Sequence, residues 1–251
     1  MKIKADLHIH SHNSFDCRMT LEEIAKAAKK KGIDCVCVCD HNTTDGYYEI
    51  LEKSDENGFI DGVLFLPAIE YSTDAGHIIG LFMPSPAPLI NNARALIKEL
   101  YRTSFAILAH PYANLKHSTA IKSFIDMGIA VEVANARRSK KTNSLAAENA
   151  VGLFTAGSDA HFPAEIGNTY MELDVRELTA DGVFEALRHA RGDVYYTPSK
   201  AVNRGLTQLC KHIDAGKWSK VPVALAKTVL FFIKDIFTPR KTVVMEGKQW
   251  H

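Results

Sequence analysis

The sequence predicts an α/β chain whose strands close into a barrel, and three observations carry that expectation. Hydrophobic residues make up 46% of the 251 residues, enough for a sizeable core. Short apolar runs alternate with longer amphipathic ones, as β-then-α units on a parallel sheet require. Seven or so such units fall within about 200 residues, which suggests closure into a barrel.

Taken in order, "KIKADLHI" reads as a strand. "TLEEIAKAAKKKG" reads as a helix, opened by a Thr20–Glu23 capping box and stopped by Gly32. "DCVCVCD" is a buried strand and "TDGYYEILEKSDENG" mostly helix. "GVLFLPAIEY" and "HIIGLF" are strands divided by the turn residues of "STDAG". Then come a helix in "NNARALIKELYRT", a strand in "FAILAH", a helix in "STAIKSFIDMG" and a strand in "IAVEVAN". "TNSLAAENAVG" is a helix, "LFTAGSD" a strand, "TADGVFEALRHARGD" a helix and "VYYT" a strand.

After Pro198 the pattern changes, so the chain divides into a barrel over 1–198 and a helical, basic extension over 199–251. "NRGLTQLCKHIDAGKW" looks helical. "VPVALAKTVLFFIKDIFTPRK" is apolar but broken by Lys227, Lys234 and Asp235, too interrupted for a transmembrane span. It reads as a packed helix or as an amphipathic helix in peripheral contact with a membrane.

Net charge is +1, unevenly spread. From Ser199 onward ten Lys+Arg face only Asp214, Asp235 and Glu246, which leaves the body at about −6. An acidic body suits a site that gathers carboxylates around cations. With no apolar run behind a basic start, a cytoplasmic location is expected. Cys17, Cys35, Cys37, Cys39 and Cys210 contain no CxxC pair, and Cys35, Cys37 and Cys39 share one strand face as small apolar residues.

The unusual residues fall at strand ends. His8 and His10 close the first strand, Asp40 and His41 the second, and Glu70 the third. His77 opens the next apolar run, His110 ends "FAILAH", and Asp159 and His161 end "LFTAGSDAH". In a β/α barrel such ends meet on one rim. Six of the eleven histidines sit at these positions, far beyond chance placement. Residues i and i+2 on a strand share a face, so His8 and His10 form a two-imidazole bite. Nitrogen and carboxylate donors suit Zn, Mn or Fe. The donors exceed one ion's needs and Glu70 can bridge, so two or three divalent metal ions are expected. His12 reads as a loop residue, and His117, His189, His212 and His251 as surface residues.

At "ADLHIHSHNSFD", "VCDHNT", "PAIEYS", "GHIIGLF", "LAHPY", "VEVANAR" and "AGSDAH" the sequence resembles the PHP family, the polymerase and histidinol phosphatase domain. The resemblance implies a distorted (β/α)7 TIM-like barrel and a metal-dependent phosphoesterase with a trinuclear site. It makes His8, His10 and Asp159 ligands of one metal. Glu70 would bridge to a second held by His77 and His110, and Asp16, His41 and His161 would hold a third. Phe15 separates Ser14 from Asp16, where many members place the acid directly after the serine. Histidinol phosphatases of the family often carry His near there, which argues against histidinol phosphate as substrate.

The expected reaction is hydrolysis of a phosphate ester by metal-activated water, with no protein nucleophile. Arg137 and Arg138, after "VEVAN", are candidate phosphate clamps, with Arg18 and Lys141 behind them. Asp40 is a candidate partner for an imidazole, or otherwise a turn cap. Glu132 and Asn135 belong to a matching segment and could support the site from behind. The expected substrate is a small phosphorylated metabolite or nucleotide. The alternatives are a nuclease acting on nucleic-acid ends, with the basic tail tracking phosphates, and a non-catalytic binding module.

Overall fold

The computed structural model describes residues 1–101, 104–113, 118–189, 192–246 and 249–250. The strands are β1 Lys2–Ile9, β2 Cys35–His41, β3 Phe59–Ile60, β4 Val63–Thr73, β5 Gly76–Leu81, β6 Phe105–Ala109, β7 Ala130–Asn135, β8 Phe154–Gly157, β9 Thr169–Asp174, β10 Asp193–Tyr196, β11 Val243–Glu246 and β12 Gln249–Trp250. The helices are α1 Leu21–Lys30, α2 Asp45–Lys53, α3 Ala93–Tyr101, α4 Ser118–Ile125, α5 Lys140–Asn149, α6 Ala180–Arg188, α7 Ala201–Asp214 and α8 Val221–Phe237.

One sheet curls through the molecule in the order β12-β11-β10-β9-β1-β2-β4-β5-β6-β7-β8, with β3 paired to β4. It forms a distorted TIM-like barrel. The two ends of the barrel meet where Ile9 bridges Ala160 in parallel. There Asp159 N donates to His8 O at 2.7 Å and His10 N to Ala160 O at 3.0 Å. A Cβ at Gly157 would collide with the His8 backbone and Cβ, so only glycine lets β8 come this close to β1.

The sheet departs from an all-parallel one. β1, β2 and β4 run parallel, as do β6, β7 and β8, but β5 is antiparallel to both β4 and β6. The hairpin reverses within Thr73–Gly76, too short a connection for a crossover helix. Four further antiparallel strands, β9, β10, β11 and β12, extend the sheet beyond β1. β11 returns the end of the C-terminal extension to the sheet, so that extension is not helical throughout.

Local rules explain the elements. Thr20 accepts from Glu23 N, and the Glu23 side chain accepts from Thr20 N, so both halves of the capping box at α1 are present. β2 is buried along nearly its whole length, which is why it reads as a continuous apolar run. Cys35, Cys37 and Cys39 are free and fully buried in the main core beside Ile3, Leu7 and Leu64.

Candidate active site

Asp6, His8 and His10 follow the strand alternation along β1 and its exit. Asp6 fastens the closure, accepting from Ser158 N and Gly167 N at 2.8 Å each. That brings Asp159 to the imidazoles. Its Oδ1 lies 3.4 Å from His10 Nε2, 3.9 Å from His8 Nε2 and 3.6 Å from His161 Nδ1.

Glu70 stands at the centre. Its Oε1 lies 2.7 Å from His77 Nδ1 and 3.2 Å from His110 Nε2. Its Oε2 lies 3.1 Å from His41 Nδ1, 3.4 Å from His10 Nε2 and 3.5 Å from His8 Nε2. Each carboxylate oxygen thus faces its own set of imidazoles, the geometry a bridging ligand needs. The antiparallel β5 accounts for His77: running backwards, it starts at the rim, opposite Ala109 of β6. His110 and Asp159 both hold left-handed backbones, at φ 30° and 54°. Such conformations cost about 1–3 kcal/mol each and concentrate at functional sites.

Asp16 reaches the same cup despite the intervening Phe15. Its Oδ2 is 3.0 Å from His161 Nε2 and 3.7 Å from His41 Nε2. The Phe15 ring turns outward, 62% exposed, with Lys211 Nζ 4.6 Å from its centroid.

The donor set fits metal ions. His8 Nε2, His10 Nε2, His41 Nδ1, Asp16 Oδ1 and Glu70 Oε2 are buried and make no hydrogen bond among the described residues. Buried polar atoms normally have partners, and here five converge on one space. Burial would raise Glu70, yet the imidazoles of His41, His77 and His8 hold it well below the ordinary carboxylate range. Asp159 behaves likewise, with burial opposed first by His8. Burial is opposed at Asp16 by the His161 hydrogen bond and charge, and that carboxyl also lies well below its usual value. The cup therefore presents ionised carboxylates to any cation. Among the described residues, four overlapping groups of three donors have their ligand atoms within 4.8 Å of one another. One includes Cys39, but burial pushes its thiol well up and it donates to Ile9 O, so it stays protonated.

Behind the cup, Glu132 acts as a brace. His8 Nδ1 lies 2.8 Å from the Glu132 carboxylate Oε1, and the neutral tautomer that donates there turns the Nε2 lone pair toward the cup. Oε2 of Glu132 accepts from His110 N at 2.7 Å and from Asn135 Nδ2 at 3.1 Å, and Asn135 also reaches Asp159 Oδ2. Glu132→Ala is expected to weaken metal affinity about 10–100-fold. Metal titration followed by calorimetry checks this, and an unchanged affinity would remove the brace from the account.

Three expected polar roles resolve differently. Asp40 bonds no imidazole among the described residues. It accepts from Ser11 N at 2.7 Å and Ser11 Oγ at 2.6 Å, so it caps the loop after β1. Arg137 is no free clamp: it forks onto Glu165 (Nε to Oε1 3.1 Å, Nη2 to Oε2 2.8 Å) and reaches Thr207 Oγ1 at 2.9 Å. Arg138 does face the cavity, 3.8 Å from Asp159 Oδ2, and its Nε makes no hydrogen bond among the described residues. Arg18 is tied to Asp214 and Lys141 is exposed. His12 faces Glu49, His189 is exposed, and His212 is half-buried on α7. His117 and His251 lie outside the described residues.

Sequence reasoning missed the opposite wall. Helix α7 places Arg204, Thr207, Gln208 and Lys211 on the cavity, and Lys211 Nζ is 2.9 Å from Asp16 Oδ2. The i, i+3, i+4, i+7 spacing of these four polar residues was the available signal.

The PHP domain family model matches residues 6–156, and the PHP-associated model matches residues 142–191. An uncharacterized protein of Methanocaldococcus jannaschii is 36% identical over 146 residues, covering 53% of this chain and 82% of that protein. A probable phosphatase of Vibrio campbellii is 23% identical over 225 residues, 76% of this chain and 90% of the relative. Among solved structures, a two-domain Bacteroides vulgatus protein contains a predicted PHP-like metal-dependent phosphoesterase. It superposes with TM-score 0.62 at 19% identity, over 78% of this chain and 65% of that one. No described helix is long and apolar enough to cross a membrane. Motif order, the shared cup of donors and the match over most of the barrel lead to one conclusion: the chain belongs to the PHP domain family and is a metal-dependent phosphoesterase.

Proposed function

We propose that the chain hydrolyses phosphate esters of small molecules, a phosphorylated metabolite or a mononucleotide, using His8, His10, Asp16, His41, Glu70, His77, His110, Asp159 and His161 as metal ligands. The observation that carries this reading is the cavity, about 190 Å³, walled by Asp16, His41, Glu70, His77, His110, Asp159 and His161 on one side and by Arg138, Arg204, Gln208 and Lys211 on the other. A phosphate group is the ligand both walls suit. Divalent cations held by the cup supply Lewis acidity and activate water. Arg138 faces the space with donors to spare, ready for non-bridging phosphate oxygens as charge builds on them. Lys211 adds a point charge that can pass from Asp16 to an incoming anion. Because α7 lies across the rim, a small ester or a chain end enters more readily than the middle of a polymer.

The test is hydrolysis of mononucleotides, phosphosugars and short RNA with Mn²⁺, Zn²⁺ or Fe²⁺. The reading expects kcat/KM for a small ester to exceed that for RNA, and the reverse order would replace it with the nuclease. On the best substrate, Arg138→Ala is expected to lower kcat/KM about 10–100-fold with an unchanged melting temperature. An unaltered kcat/KM would exclude Arg138 as the clamp.

A further inference from the structure

Helix α8 packs on α7 through one side only. Ala224 and Thr228 are its buried residues, and Gly205 of α7 lets the two helices touch, since a Cβ there would lie 2.7 Å from Thr228 Oγ1. Its other side is apolar and open: Val223, Leu230, Phe232, Ile233, Ile236 and Phe237 are each 46–79% exposed. At 100° per residue these side chains cover about half the helix circumference. Lys227 and Lys234, one heptad apart, line one edge of that half.

The charge around this face decides what covers it. Lys217 and Lys220 stand before the helix and Arg240 and Lys241 after it, all exposed like Lys227 and Lys234. The two acids nearby are already used. Asp214 pairs with Arg18, and Asp235 accepts from Ala201 N and Val202 N at the start of α7. A second copy seated on this face would bring the same six cations against these. An anionic lipid surface complements them, takes up the apolar half and accommodates the exposed Trp218 at headgroup depth.

We propose that α8 docks in the plane of a membrane surface bearing anionic lipid, with its apolar half in the acyl boundary and its basic edge among the headgroups. The inference is independent of the substrate reading. It also sets α7, whose Arg204, Gln208 and Lys211 line the cavity, directly behind the membrane contact.

The experiment uses the full-length, metal-loaded protein in flotation with phosphatidylcholine vesicles, with or without phosphatidylserine. Binding is expected only with phosphatidylserine and should fall as salt is raised. Lys227→Ala/Lys234→Ala is expected to weaken it about thirtyfold at low ionic strength. Leu230→Ser/Ile233→Ser should abolish it, while hydrolysis of a soluble ester stays unchanged and shows that the variants fold. Equal binding to both vesicles, or none, would overturn the proposal. So would light scattering that finds a dimer which Leu230→Ser/Ile233→Ser dissociates.

Discussion

Glu70→Ala is expected to cut phosphoesterase turnover by at least about a thousandfold, beyond the 10–100-fold attached to residues that stand behind a ligand. The expectation follows from how many groups this carboxylate serves. Oε1 faces His77 and His110, while Oε2 faces His8, His10 and His41. Removing it leaves five imidazoles around a void and takes away the carboxylate whose two oxygens would join the two halves of the cup if cations are bound there. Glu70→Gln keeps the shape but loses the charge, so it should lose metal nearly as fully. Metal content by mass spectrometry and circular dichroism separate loss of cation from loss of fold. A Glu70→Ala protein that keeps both its metal and its rate would refute the role given to the cup.

The cup was legible because its donor side chains sit at strand ends, where the barrel rim gathers them whatever the details of the sheet. His8, His10, His41, His110, Asp159 and His161 needed only strand periodicity and a closed sheet. His77 needed more, since its place depends on β5 running backwards, and the turn residues of "STDAG" hinted at that hairpin. β9 was missed. "TYMELD" alternates buried and open positions but carries acids, and its antiparallel partner β1 lies far away in sequence. The roles of Arg137 and Arg138 were not separable from their adjacency, because one residue turns toward Glu165 and the other toward the cavity. α7 remained hidden as a wall because its docking on the rim is a tertiary contact.

Glu165→Ala is expected to lower stability by about 3–5 kcal/mol, the cost of leaving one member of a buried ion pair alone. Glu165 is fully buried, and Arg137 is nearly so. Besides the fork to Arg137, Glu165 Oε2 accepts from His161 N at 3.1 Å, and Arg137 in turn holds Thr207 of α7. One side chain therefore ties the loop after β8, the exit of β7 and the α7 wall together. Total stabilities run at about 5–15 kcal/mol, so the loss is a large share, read as a fall in melting temperature of about 6–20 °C. Arg137→Ala should fall by a similar amount, because it strands the carboxylate instead. The double replacement Arg137→Met/Glu165→Leu should recover much of the loss, as buried pairs often tolerate apolar exchange. The same series separates structure from catalysis. If Arg137 were the phosphate clamp, Arg137→Ala would raise KM and leave the melting temperature where it was. With the fork as its role, the melting temperature falls first, and activity follows as His161 and α7 lose their positions.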